Sequence, residues 1–213
     1  MSRLLNKRCG MVGIEAAIVL IAFVIVAAAF SFMVVNMGLF STQRGRETIQ
    51  QGVSEASSPL TLDGSIHVSV VAATGSGGLN VTGIVMPLKT LGVRYVPMSW
   101  NESEVTCRIE NNTVYANMYT GIDSSVDPTN AKTDALLGAV NAQEAQLFIG
   151  GSDTDSSLDY DEKGYLVFKL APANAAQERQ HVFVEIRPEK GAPLTIEFII
   201  PPQLTAGWHT IGS

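Results

Sequence analysis

Several residues in this 213-residue chain belong to types that can do chemistry, so their spacing is the first test of function. His67, His181 and His209 stand alone, with no second ligand at the spacing of an HExxH helix or a CxxC pair. The loop Gly75-Ser76-Gly77-Gly78-Leu79-Asn80 begins like a dinucleotide fingerprint, but its sixth position is asparagine and no βαβ unit surrounds it. There is no Gly-x-Ser-x-Gly elbow and no phosphate loop ending in Gly-Lys-Ser/Thr. Nothing positive points to an enzyme or to an organic cofactor. Asp153, Asp155, Asp159 and Asp161, followed by Glu162, offer hard oxygen ligands for a divalent cation, yet lack the glycine and terminal-glutamate spacing of an EF-hand. A solvated acidic loop is the competing reading. Three Asn-x-Ser/Thr tripeptides, at Asn80, Asn101 and Asn111, fall within one short stretch and are candidate N-glycosylation acceptors if the segment is extracellular. Glu15 is an isolated carboxylate at the edge of an apolar run, placed to neutralise a free amine or simply to complement a helix dipole.

These residues are distributed over three blocks. Residues 1–10 are short and basic, with Arg3, Lys7 and Arg8. Residues 11–58 read as one long helix, apolar at first and then polar, stopped by Pro59. From about Leu60 the texture changes to short Val/Ile/Thr/Tyr/Phe runs separated by Gly/Pro/Asn/Asp/Ser clusters. The runs at 66–73, 79–86, 92–98, 104–110, 113–119, 145–150, 165–170, 181–187 and 194–200 predict strands, with one helical insertion over 130–141. About nine strands suit a β-sandwich or small barrel over 59–213. Only 16% of residues are charged and the formal net charge is −6. With no Lys/Arg cluster beyond the first ten residues, nucleic acid is excluded as a partner. Cys9 and Cys107 are the two cysteines, so losing the first block would leave Cys107 alone, most simply as a small core residue.

Between Ala16 and Gln43 no residue is charged. A stretch of this length exceeds the roughly 7–15 apolar residues of an ordinary secretory signal, and Ala16–Val35 by itself crosses about 30 Å of hydrocarbon at about 1.5 Å per residue. No small-residue cleavage site follows it. The plausible cut lies before it, in Lys7-Arg8-Cys9-Gly10/Met11-Val12-Gly13, where Gly10 gives a protease a flexible backbone and the basic residues hold that end at the cytoplasmic face. Apolar on all faces, the helix is suited only to lipid or to a bundle of similar helices. Ala16, Leu20, Phe23, Val26, Phe30 and Met33 are the candidate packing positions, with small residues allowing close helix approach. Gly38, Gly45 and Gly52 repeat every seven residues and stay near one face.

The basic block, Gly10 and Gly13 about the cut, and the run GIEAAIVLIAFVIVAAAFSFMVVNMGLFSTQ together resemble the archaeal flagellins (archaellins), within the type IV pilin-like superfamily. The segment SDTDSSLDYDEKGYLVFKL is similar to that family's acidic loop leading into a strand. Cys9 departs from the pattern, standing where a second basic residue is usual, and Glu15 is the mark of bacterial pilins more than of archaellins. The resemblance implies an α+β chain: a long N-terminal hydrophobic helix followed by an immunoglobulin-like β-sandwich or barrel head. It further implies a homo-polymer, a prepilin-type signal peptidase, residence in the membrane before assembly, a filament motor platform as partner, and a final place in an extracellular motility filament. An adhesion pilin and a monomeric membrane-anchored β-domain are the alternatives.

Overall fold

The computed structural model describes residues 8–56, 59–72, 78–110 and 113–212. The first element, α1, is Arg8–Ala56, a helix of 49 residues. It is uninterrupted because no proline occurs before Pro59 and its polar side chains bond locally. The Thr42 hydroxyl donates to the Gly38 and Leu39 carbonyls at 3.1 and 2.8 Å, and the Thr48 hydroxyl to the Arg44 carbonyl at 2.9 Å. At about 1.5 Å per residue its length is about 74 Å. The chain divides into two compact units, Met1–Val53 and Ser54–Ser213, and the second contains every strand described.

In chain order that unit contains β1 (Leu60–Leu62), β2 (Ile66–Ala72), β3 (Leu79–Thr90), β4 (Tyr95–Pro97), β5 (Glu104–Ile109), β6 (Thr113–Tyr115) and β7 (Tyr119–Ile122). The short helix α2 (Thr133–Ala139) follows, then β8 (Glu144–Gly150), β9 (Ser157–Asp159), β10 (Lys163–Lys169), β11 (Ala176–Gln177), β12 (His181–Arg187), β13 (Leu194–Ile199) and β14 (Gly207–Ile211). The larger sheet runs β14-β2-β3-β10-β8-β7, with β1 and β11 also paired to β3. A four-stranded sheet runs β13-β12-β5-β6, and β4 pairs with β9. All pairings are antiparallel except β7 with β8.

Both main sheets contribute to one buried core. Val68, Ile84, Met86, Leu147, Leu166 and Phe168 come from the larger sheet, and Val105, Cys107, Ile109, Val182, Val184 and Ile186 from the smaller. This is the sandwich expected from alternating strands, and β12 shows the alternation plainly: Val182, Val184 and Ile186 face in while His181 and Arg187 are exposed. The larger sheet differs. Val85, Phe148 and Val167, on its other face, pack with Leu136 and Val140 at α2 in a second cluster. The middle of β3, β8 and β10 is thus buried on both sides, which is why those strands read as continuous apolar runs. Leu137 of α2 seats directly on Gly83: a Cβ there would lie 2.5 and 2.7 Å from its two methyl carbons. Lys169 Nζ donates to the Val140 carbonyl at the end of α2 at 2.8 Å, and Trp208 Nε1 of β14 donates to Asp134 Oδ1 at 2.5 Å.

Three expectations need correction. The strand read over 113–119 is two, β6 and β7, because Asn117 has φ +43, a left-handed conformation that breaks a ladder. The strand read over 79–86 continues to Thr90 through Pro87. It does so where β3 changes partner: β2 pairs with β3 up to Val85 and β1 pairs from Leu88. The Pro87 carbonyl accepts from Asp63 N on that side, so its missing N–H points into the gap between two partners. The helix read over 130–141 is confined to Thr133–Ala139. β1, β9, β11 and β14, two to five residues each, were not foreseen as strands.

Candidate functional site

The most unusual feature is α1 itself. An 18-residue window within Gly13–Val53 has a mean hydropathy of 3.1 and none of it is buried. Phe23 is 74% exposed, Val26 68% and Phe30 68%. Burying one such side chain is worth about 1.5–3 kcal/mol, so a helix exposing this many is built for lipid or for other helices. By length and composition it can cross a membrane. From Gly13 to Val53 its only charged residues are Glu15, Arg44, Arg46 and Glu47, and the Arg44 guanidinium lies over the Phe40 ring, 5.2 Å from its centre.

Gly10 and Met11 lie in the first turns of α1, and Glu15 is exposed on it. At about 100° per residue, Ala16, Leu20, Phe23, Val26, Phe30 and Met33 occupy a stripe about 140° wide. Exposure does not single that stripe out, since the opposite faces are equally apolar and equally open. A Cβ at Gly13, Gly38, Gly45 or Gly52 would meet nothing within 4 Å.

On the head, the acidic residues do not assemble a cation cage. Among the described residues no group of three or more His, Cys, Asp or Glu is placed to hold a metal ion. Instead, the carboxylates bind their own loop. Asp153 Oδ1 accepts from Asp155 N at 3.2 Å, and Asp155 Oδ1 accepts from Ser157 N at 2.8 Å. Glu162, 6% exposed, accepts from Asp153 N at 3.1 Å through one oxygen and from Asp159 N at 3.0 Å through the other. Glu162 organises the loop, a role its place in a charge cluster did not reveal. Its burial follows from its position just before β10.

The sequons differ in setting. Asn80 is half-buried in β3, and its Nδ2 donates to the Pro172 carbonyl at 3.3 Å. Asn101 is exposed in a turn closed by Glu102 N and Ser103 N, which donate to the Ser99 carbonyl at 3.1 and 3.2 Å. The Ser103 hydroxyl is buried against the Pro97 carbonyl, 3.1 Å away. Asn111 lies outside the described residues. The histidines do not converge: His67 and His209 lie on the paired strands β2 and β14 but on opposite faces, and each of the three has its own partner. His67 bonds Thr210 at 3.1 Å, His181 pairs with Glu197 at 3.1 Å, and His209 bonds the Thr205 carbonyl at 2.7 Å. A cleft beside His181 is lined by Arg108, Ile109, Glu110, Phe183 and Glu197. Cys107 is a free thiol enclosed in the core, and burial pushes its pKa up to about 12.

The combination of a long exposed apolar helix and a β-sandwich head is matched in known proteins. The archaeal-type flagellin family matches residues 10–198. The chain belongs to that family. A probable flagellin 1 of Aeropyrum pernix is 39% identical over 207 residues, covering 95% of this chain and 97% of that one. A probable flagellin 1 of Archaeoglobus fulgidus is 31% identical, covering 95% of each. The solved archaeal flagellum of Methanospirillum hungatei strain JF1 superposes with a TM-score of 0.53 at 26% identity, covering 92% of this chain and 98% of its own. Archaeal flagellin FlaB1 from Methanocaldococcus jannaschii, at 13% identity and a TM-score of 0.57 over 72% of this chain and 96% of its own, shares the fold. This flagellin is thus a structural filament subunit of the archaellum, in a family of structural proteins rather than enzymes.

Proposed function

We propose that this flagellin is made as a membrane-inserted precursor, cut between Gly10 and Met11 by a prepilin-type signal peptidase, and polymerised with copies of itself into an extracellular motility filament. The observation that carries this reading is α1: exposed over residues 13–53, apolar on every side and free of charge from Ala16 to Gln43. Before assembly lipid solvates that surface. Afterwards the α1 helices of neighbouring copies do, so assembly exchanges lipid contact for helix packing instead of burying fresh surface from water. Ala16, Leu20, Phe23, Val26, Phe30 and Met33 supply part of that packing, and Glu15, entering an apolar environment, takes the free amine of Met11 or of a neighbour as its partner. The family match beginning at Gly10 agrees with a cut beside that residue. The membrane motor platform that turns the filament is a separate protein. Flagellin family membership favours motility over the adhesion pilin and over the monomeric membrane-anchored β-domain.

Intact mass and N-terminal sequencing of surface filaments test the processing. Met11 should come first; loss of Arg3, Lys7 and Arg8 takes Lys+Arg from 14 to 11 and the net charge from −6 to −9. Assembled filaments that retain residues 1–10 would overturn it. Deletion of the gene should abolish swimming while an adhesion role would spare it.

A further inference from the structure

The most exposed large apolar side chain in the described part of the head is an indole on a braced turn. Trp100 is 69% exposed. Around it Glu102 N and Ser103 N donate to the Ser99 carbonyl, and the Ser99 hydroxyl donates to the Glu102 carboxylate. The buried Ser103 hydroxyl donates to the Pro97 carbonyl at 3.1 Å. Beneath the turn, Gly121 of β7 has φ +113; a Cβ there would lie 3.4 Å from Trp100 Cβ and 3.8 Å from its N. The backbone of the turn thus rests on β7 while the ring stands in water. A large aromatic held out on a rigid turn loses little conformational freedom on binding, which is the property of an interface anchor.

The cleft at the other end of β5 has the chemistry that an indole needs. It measures about 590 Å³, between Arg108, Ile109, Glu110, His181, Phe183 and Glu197. Phe183, half-buried, gives it an aromatic wall. The Arg108 guanidinium lies 5.9 Å from the centre of that ring, placed to stack on an entering π-face. His181 engages one oxygen of each carboxylate: Glu110 Oε2 accepts from His181 N at 3.0 Å, and Glu197 Oε1 bonds His181 Nδ1 at 3.1 Å. The second oxygen of either can accept an indole N–H. From Ser103 to Ile109 is about 20 Å along the strand, so Trp100 cannot reach the cleft of its own head. A knob and a hole on different parts of one molecule make a heterologous contact. Such a contact passes from copy to copy and, where the rotation does not close, builds a helical filament.

We propose that Trp100 of each subunit inserts into the Arg108–Phe183–Glu197 cleft of the next copy. The indole lies against Phe183 and Arg108, and its Nε1–H donates to Glu197 or Glu110. Asn101 and Glu102, next in the turn, stay at the polar, solvent-facing rim. Packing of α1 exchanges lipid for other helices, whereas this contact decides which part of one head meets which part of its neighbour. It rests on the homopolymer reading given above, and the test separates the two.

Trp100 and Trp208 are the two tryptophans, so Trp208→Phe leaves Trp100 as the sole indole. In filaments of that variant, acrylamide quenching should fall several-fold relative to subunits dispersed in detergent, and the emission should shift to the blue. A cross-link then locates the ring without altering either tryptophan. Asn101→Cys with Ile199→Cys puts a thiol beside each half of the contact, because Ile199 pairs with His181 at the edge of the cleft. A short bis-maleimide should join assembled filaments of the double variant into a ladder of covalent oligomers. Each single variant, which controls for Cys9 and Cys107, should stay monomeric. A ring as quenchable in filaments as in detergent overturns the proposal. So does a shielded ring without a ladder, which puts the indole in some other site, and so do dimers from Asn101→Cys alone, which mean that like turns meet. If the unsubstituted chain forms no filaments, the homopolymer reading fails and the contact with it.

Discussion

Val26→Asp is the sharpest test of α1 as the assembly surface. Val26 is 68% exposed and lies about 16 Å along the helix from Glu15 and about 27 Å from Arg44, too far for either to respond to it. Its neighbours one turn away are Ala22, Phe23, Ala29 and Phe30, so a carboxylate there has no donor on its own chain. On membrane-insertion scales valine at a helix centre contributes about −0.3 to −0.6 kcal/mol and aspartate costs about 2.5 to 3.5. The difference is about 3–4 kcal/mol, two to three orders of magnitude in an insertion equilibrium. Among packed apolar helices an unpaired carboxylate is penalised at least as heavily. Cells producing the variant should carry no filaments by negative-stain microscopy, whereas Val26→Ala should assemble. The head's cooperative melting in detergent, followed by far-ultraviolet circular dichroism, should match that of the unsubstituted chain, because no residue of the sandwich changes. Filaments of ordinary number and length from Val26→Asp would refute the helix as the filament's core.

Glu162→Ala removes the acceptor for two loop amides, those of Asp153 and Asp159. At about 1–3 kcal/mol per orphaned group, the head should lose about 2–6 kcal/mol and be nicked within 153–161 by limited proteolysis; an unchanged melt would show the loop to be held by other means. Cys107 should resist thiol reagents at pH 8 until the head is unfolded in denaturant. Since burial raises its pKa to about 12, the native state keeps the neutral thiol; the stabilisation is whole below about pH 8.5 and is lost as pH rises toward the folded value. Between pH 9 and 11 the unsubstituted head should therefore lose stability relative to Cys107→Ala by up to about 1.4 kcal/mol per pH unit, read from denaturant midpoints. Glycopeptide mass spectrometry of native filaments should find an N-linked glycan on at least one of Asn80, Asn101 and Asn111, with exposed Asn101 favoured over Asn80, which is engaged with Pro172; three unmodified asparagines would make these ordinary turn and strand residues.

Local chemistry was enough to establish α1 in the sequence. A charge-free run without proline can only be a helix that seeks lipid or other helices, and that conclusion needs no tertiary contact. The strands with strict alternation were equally legible: β12 occupies His181–Arg187 as its pattern of apolar and polar residues requires. The tertiary structure alone decided which strands share a sheet, and it decided the elements too short to carry a period. β1 and β9 exist because β3 and β4 offer them an edge, not because Leu60–Leu62 or Ser157–Asp159 favour strand on their own. The split at Asn117 depends on one backbone angle that asparagine tolerates but does not announce. The same holds for the acidic loop. Its composition showed five carboxylates; whether they gather around a cation or hold their own backbone depends on where the fold buries Glu162, and burial is a property of the whole head.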